Sequence, residues 1–209
     1  MEVQTQSLEN KYVVDVYEKI AKHFDHTRSY VWPAVKLFLD SLSPNIHKNI
    51  LEIGCGNGRN MTYRPELNIK GCDIVHNFIE ICHNKGLSVN YSNQKDLKYQ
   101  NDTFHAILSV AVLHHLSESS DRKKSIDEII RVLKPDGICF IQVWKNKENP
   151  LMSEGKFINW TEITTKEVHK RFYYLFCERE FRSLFESERV EIVSFYEERD
   201  NYICIFRKK

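Results

Sequence analysis

Three glycines at alternate positions, 54, 56 and 58, follow an apolar run in Leu51-Glu52-Ile53-Gly54-Cys55-Gly56-Asn57-Gly58. Glycine tolerates positive φ and leaves no Cβ between chain and ligand, so such a turn at the end of a parallel strand lets backbone wrap a small molecule. The spacing is not the G-x-G-x-x-G that sets a pyrophosphate against a helix N-terminus. Asp73 closes the next apolar run, 19 residues beyond Gly54, where a carboxylate can accept both hydroxyls of a ribose. His114 and His115 leave a fourth run at its carboxyl end. One of them is expected to cap or pack locally, and the other to orient or neutralise a reacting group. Arg28 can hold a planar oxyanion, a carboxylate or a phosphate, by two parallel hydrogen bonds. The competing expectation for Arg28 is a surface ion pair with Asp25 or another carboxylate. By spacing alone Arg171, Tyr173, Asp200 and Asn201 read as ordinary surface.

The elements that must position these groups follow from periodicity. Tyr12, Val13, Val16, Tyr17, Ile20 and Phe24 recur at three-to-four spacing and predict one helix, and Pro33 opens a second that runs through Val35, Phe38, Leu39 and Leu42. Strands are expected over 49–53, 69–73, 87–91, 104–110, 138–144, 190–197 and 201–207, and further helices over 76–84 and 121–133. Asp200-Asn201 suits a tight turn, which makes the last two strands an antiparallel hairpin. The result is an α/β chain with a doubly wound seven-stranded sheet and a terminal antiparallel hairpin. It forms one domain over 1–209, with helices in 1–48 and an irregular substrate-side loop over 145–170.

The chain of 209 residues is long enough to bury a full sheet core. Six cysteines without a C-x-x-C pair read as reduced core thiols, and no metal site is expected. A net charge of +1 excludes a generally basic nucleic-acid binder, so any RNA contact is local or shared with a partner. Arg122-Lys123-Lys124, Lys145 with Lys147, Lys166 with Lys170 and Arg171, and Arg207-Lys208-Lys209 are expected on solvated faces. No apolar run approaches the length of a membrane helix, and Met1-Glu2-Val3-Gln4 lacks the basic start of a signal peptide. The expected address is the cytoplasm, with the nucleus as a second, and no membrane partner.

The glycine motif preceded by Glu52, with Asp73 after it and Arg131-Val132-Leu133-Lys134-Pro135-Asp136-Gly137 before the fifth strand, resembles Rossmann-like class I S-adenosylmethionine (SAM) methyltransferases. That resemblance implies SAM as cofactor, held by Glu52, Gly54, Gly56, Gly58, Asp73, Ile74, Asn93, Gln94 and Val110, with Asn93 where an acid usually sits beside the adenine. Val16-Tyr17-Glu18-Lys19-Ile20-Ala21-Lys22-His23-Phe24-Asp25-His26-Thr27-Arg28 with Trp32-Pro33 more specifically resembles the eukaryotic tRNA wobble-uridine (5-carboxymethyluridine) methyltransferases, in their stand-alone form. The methyltransferase domain fused to an AlkB-type hydroxylase is similar too. Likeness continues through Leu113-His114-His115, Arg171-Phe172-Tyr173-Tyr174 and Arg199-Asp200-Asn201-Tyr202. It departs at Asn93, His105, Tyr174 and Tyr202, where the family has an acid, Asp, His and Trp. The resemblance implies methylation of the 5-carboxymethyluridine carboxylate in a tRNA anticodon loop. It also implies a catalytic set of Arg28, His114, His115, Arg171, Asp200 and Asn201, and a heterodimer with a small zinc-binding activator paired along 87–91. Competing expectations are a small-molecule methyltransferase and an inactive methyltransferase-like binding subunit.

Overall fold

The computed structural model describes residues 7–163 and 165–209; the Met1–Gln4 segment read above lies outside the described residues. A single turn of π-helix, Asn10–Val14, runs directly into α1, Asp15–Thr27. Its apolar stripe buries Val13, Val16, Tyr17 and Ile20, as the spacing requires. Helix α2, Pro33–Ser41, begins on Pro33, whose fixed φ suits a first turn.

Strands β1 (Ile50–Ile53), β2 (Lys70–Asp73), β3 (Val89–Tyr91), β4 (Phe104–Val110) and β5 (Leu133–Trp144) run parallel, while β8 (Val190–Glu198) and β9 (Asn201–Lys208) form the antiparallel hairpin. The sheet order is β3-β2-β1-β4-β5-β9-β8. Helices α3 (His76–Asn84) and α4 (Ser119–Val132) supply the crossovers. Side chains alternate across the sheet. Leu51, Ile53, Ile107, Cys139 and Ile141 pack on one face with α4, and Ile50, Leu108 and Phe140 on the other with α2. Strand order reverses between β1 and β4, the place where a crevice opens at the carboxyl edge of a doubly wound sheet.

Two expectations are corrected. The segment 145–170 is not irregular: Glu154–Thr161 forms β6, paired antiparallel with β7, Val168–Leu175, in a separate two-stranded sheet followed by α5, Glu178–Ser183. Phe157 and Ile158 are adjacent in sequence and point to opposite faces, which hides the alternation of a half-buried strand. Tyr12 and Phe172 flank Phe157, and Trp160 packs with α1. Arg122 is not on a solvated face either. It is 3% exposed, its guanidinium 3.6 Å from the Tyr174 ring centre and paired with Glu180. The six cysteines are buried and free. No helix among the described residues is long and apolar enough to cross a membrane.

Gly54 has φ +62°, and a Cβ there would lie 2.4 Å from Val112 Cγ2, whereas Gly86, at φ +75°, would meet nothing within 4 Å. Gly86→Ala is therefore expected to lose only the left-handed backbone strain, about 1–2 kcal/mol. Gly54→Ala is expected to lose more, because Val112 must move as well. Thermal melting of both variants measures the difference, and equal losses would rule out the steric contribution.

Candidate active site

At the crevice a cavity of about 210 Å³ is lined by the glycine turn, the ends of β2 and β4, α1 and β7. Asp73 ties the turn together: one carboxylate oxygen accepts the Gly56 amide at 2.8 Å and the other the Val75 amide at 2.9 Å. Burial raises its pKa against the pull of those amides. Gly54, Gly56, Glu52, Ile74 and Val110 line the cavity. Gly58 does not. It packs under α3 and the following loop, where an added Cβ would lie 2.3 Å from Leu87 Cδ1 and 3.1 Å from Cys82 Sγ. Its glycine is explained by close packing rather than by ligand approach.

Glu52 is 2% exposed. Asn60 Nδ2 donates to its Oε1 at 2.6 Å, Oε2 has no hydrogen-bond partner, and burial pushes the carboxyl up to about 7. Asn93 and Gln94 line the cavity, but their carbonyls are already engaged: Asn93 Oδ1 accepts the Lys95 amide at 2.9 Å, and Gln94 Oε1 accepts the Ser125 hydroxyl at 3.1 Å. An adenine amine would use the second lone pair of Asn93.

The opposite wall carries the histidines. Trp144 donates its amide to His114 Nδ1 at 3.1 Å, which places the proton of the neutral ring on Nε2, a buried atom with no partner. His115 Nδ1 faces the Phe172 carbonyl at 2.9 Å and so carries the proton, leaving Nε2 to accept from the Tyr17 hydroxyl 3.2 Å away. Burial holds His115 at about 4, and burial with His115 and Arg171 nearby holds His114 well below the usual imidazole value. Both rings are neutral near pH 7. His115 is the locally packed member of the pair, and His114 can orient a group but brings no charge to it.

Arg171 is not on the solvated face expected for its cluster: it is 6% exposed, its Nη1 donates to the Tyr17 hydroxyl at 3.1 Å and its Nε has no partner. Its Cζ lies 4.7 Å from the Trp160 ring centre. Arg28 Cζ lies 4.8 Å from the same ring, at the exposed mouth of the cavity. The surface ion pair expected as its alternative is absent, because Asp25 binds Lys85 at 2.5 Å and Asn57 Nδ2 at 3.0 Å. Among the described residues no ion pair involves Arg28, Arg59 or Arg171.

Asp200 and Asn201 are not brought to this cavity. They line a smaller neighbouring cavity with Trp32 and Trp144. Asp200 pairs with Lys147, and Asn201 Nδ2 donates to the Glu198 carbonyl. Tyr17, Arg59, Tyr173 and Trp160 were missed as site residues. Tyr17 sat inside an apolar stripe, and no local spacing ties a phenol at 17 to an arginine at 171. Of the positions that depart from the family pattern, Asn93 lines the main cavity and His105, Tyr174 and Tyr202 do not.

The sheet order and glycine cradle define a Rossmann-like class I methyltransferase fold. Residues 51–141 match the family described as "Methyltransferase domain". A tRNA (carboxymethyluridine(34)-5-O)-methyltransferase of Schizosaccharomyces pombe is 30% identical over 96% of this chain and 97% of its own length. A protein of the same name from Arabidopsis thaliana is 40% identical over 79% of this chain, which covers 40% of that relative. The chain spans about two fifths or less of the length of the first relatives it matches. Among solved structures, the complex of the Haloferax volcanii Trm112 methyltransferase activator with a putative methyltransferase aligns with TM-score 0.69 over 97% of both chains at 14% identity, a likeness of fold. The chain belongs to the family of tRNA (carboxymethyluridine(34)-5-O)-methyltransferases.

The donor set fits SAM. Asp73 is placed to accept from a ribose, Ile74 and Val110 give apolar cover, and the unpartnered Glu52 Oε2 suits an ammonium group. Because a cation favours the ionised carboxylate and the Glu52 pKa is raised to about 7, SAM affinity is expected to fall as pH drops through that value, by at most about tenfold per unit. Glu52→Gln should flatten this dependence in calorimetric titrations. Asp73→Ala should weaken SAM by about 1–3 kcal/mol, the cost of polar groups left unmatched; unchanged affinity with the fold intact would remove Asp73 from the cofactor site.

Proposed function

We propose that this chain transfers a methyl group from SAM to the carboxylate of 5-carboxymethyluridine at the tRNA wobble position, giving the methyl ester. One observation carries the reading: Arg28 and Arg171 converge on Trp160 with no carboxylate to neutralise either. A buried guanidinium without a counter-ion is costly, and two cations sharing one ring repel, so the site calls for an anion. An ionised carboxylate meets that need and is already a nucleophile, so no general base is required. This agrees with two histidines held neutral by burial.

When bound, SAM supplies an electrophilic methyl on a sulfonium. The chain's own residues then have to fix one carboxylate oxygen, leave the other free and keep water out. Arg28 and Arg171 hold the anion, and His114 Nε2–H is the neutral donor on the same wall. Aromatic cover from Tyr173 and Trp144 in the cavity wall, with Trp160 against both guanidinium groups, lowers the local dielectric and strengthens each of these contacts. A wobble base reaches such a recess only when turned out of its stack, which an anticodon loop allows.

A partner completes the reading. Strand β3 is the outer strand of the parallel half of the sheet, with Tyr91 52% exposed and stacked on His76. An open strand edge is a template for pairing, and a small zinc-binding activator is the proposed occupant in a heterodimer. The solved structure of similar fold that is itself a complex with an activator supports this.

Arg28→Ala is expected to lower single-turnover methyl transfer to carboxymethyluridine-containing tRNA by about 10- to 150-fold at saturating SAM, the loss of one charge-assisted hydrogen bond of about 1.5–3 kcal/mol. Arg28→Lys should recover only part, because lysine keeps the charge but not the fork. Wild-type rates in Arg28→Ala would exclude this residue. Purified alone, the chain should be poorly soluble, and co-expression with an activator should restore it. A monodisperse, fully active single chain would defeat the partner proposal.

A further inference from the structure

We propose that Tyr17 is a positioning residue whose hydroxyl sets the orientation of Arg171 and His115 for the acceptor, an inference that rests on the methyl-transfer reading above. Three polar groups meet at this one oxygen: Arg171 Nη1 at 3.1 Å, His115 Nε2 at 3.2 Å and the Tyr173 hydroxyl at 3.2 Å. Their proton inventory closes in only one way. His115 gives its Nδ1 proton to the Phe172 carbonyl, so its Nε2 can only accept, and the single Tyr17 proton goes there. Arg171 can only donate, so it uses one lone pair of the Tyr17 oxygen. Tyr173 then has to donate to the other. Every direction is fixed, and Arg171 is left with Nε and Nη2 uncommitted for an anion.

The hydroxyl also joins the 51–141 methyltransferase match to two parts of the chain outside it. Tyr17 comes from α1 and Arg171 from β7, while His115 belongs to the short turn Leu113–His115 after β4. The ring itself is fixed independently, edge-on to Phe24 and His115 and tilted against Phe78, with centroids 5.9, 5.3 and 5.8 Å away. A phenylalanine would keep those ring contacts and lose only the oxygen. Packing and positioning are therefore separable at this position.

The test is Tyr17→Phe in the chain co-expressed with its activator. Expected are a melting temperature lowered by the polar groups left unmatched at this oxygen, near-normal SAM affinity, a KM for tRNA changed less than kcat, and single-turnover transfer lower by about ten- to hundredfold, the penalty of a misplaced catalytic group. Combined with Arg171→Ala, the loss should be no greater than that of Arg171→Ala alone, because Tyr17 acts through Arg171. Additive losses, or a Tyr17→Phe rate within about twofold of wild type, would overturn the proposal. A structural role alone would move melting and leave the kcat-to-KM pattern untouched. Ring-nitrogen NMR of His115 in the wild-type chain gives a readout that needs neither activity nor a folded variant. A proton on Nδ1 with an accepting Nε2 is expected, and the opposite tautomer would overturn the proposal. Failure of the wild type to make any ester, with the His115 tautomer as expected, would count against the substrate reading and not against the Tyr17 geometry.

Discussion

A guanidinium that is 6% exposed and has no carboxylate partner is the constraint around which the acceptor side of this cavity is organised. Removing such a charge from water is tolerable only when its donors are used and its faces are covered by π-systems. Arg171 has the cover and one donor in use: Nη1 bonds the Tyr17 hydroxyl, and the Tyr17, Trp160 and Tyr173 rings lie 5.8, 4.7 and 5.1 Å from its Cζ. Each ring comes from a different place. Helix α1 brings Tyr17, β6 brings Trp160, and β7 brings Tyr173 beside Arg171 itself. Trp160 is held in turn by its indole N–H donating to His23 Nδ1 at 3.1 Å. The β6–β7 hairpin and the N-terminal helix form the box that makes the buried cation affordable.

The cofactor side answers a different demand. There the strand ends supply backbone amides, and Asp73 consumes two of them, so its carboxylate locks the Gly56 turn to the start of the next loop before any ligand arrives. Preorganisation of this kind lowers the ordering cost of binding. Glu52 is the contrasting acid. With one oxygen bonded and one not, it holds a proton more tightly than an exposed carboxylate and gains from a cationic neighbour.

How much of this the sequence reveals depends on whether a role is local. The glycine cradle and Asp73 were legible because strand, turn and acid lie in fixed order along the chain. Arg28 was legible as a residue able to bind an anion but not as one free of Asp25, since Lys85 takes that carboxylate from 60 residues away. Tyr17 was legible only as a core ring. The β6–β7 hairpin is not legible as strands because the apolar neighbours Phe157 and Ile158 break the two-residue period. Asp200 and Asn201 came from family resemblance, and tertiary packing turns them toward the cavity beyond Trp32 and Trp144.

The departures from the family pattern can be weighed by where they fall. Tyr174 donates to both Glu180 oxygens and stacks on Arg122, so it helps hold another buried arginine. Tyr202 lies 2% exposed in β9, where its ring packs with Phe181 and Phe195. His105 accepts the Asn49 amide at the far end of β4. These three substitutions change how the sheet and α5 pack and leave the walls of the main cavity intact. Asn93 alone alters a cavity residue, where it exchanges a charged acceptor for a neutral one. The groups on the acceptor wall are hydrogen-bonded to residues that are not among these departures: Arg28 to the Thr27 carbonyl, Arg171 to Tyr17, Tyr17 to Tyr173, His115 to the Phe172 carbonyl and His114 to the Trp144 amide.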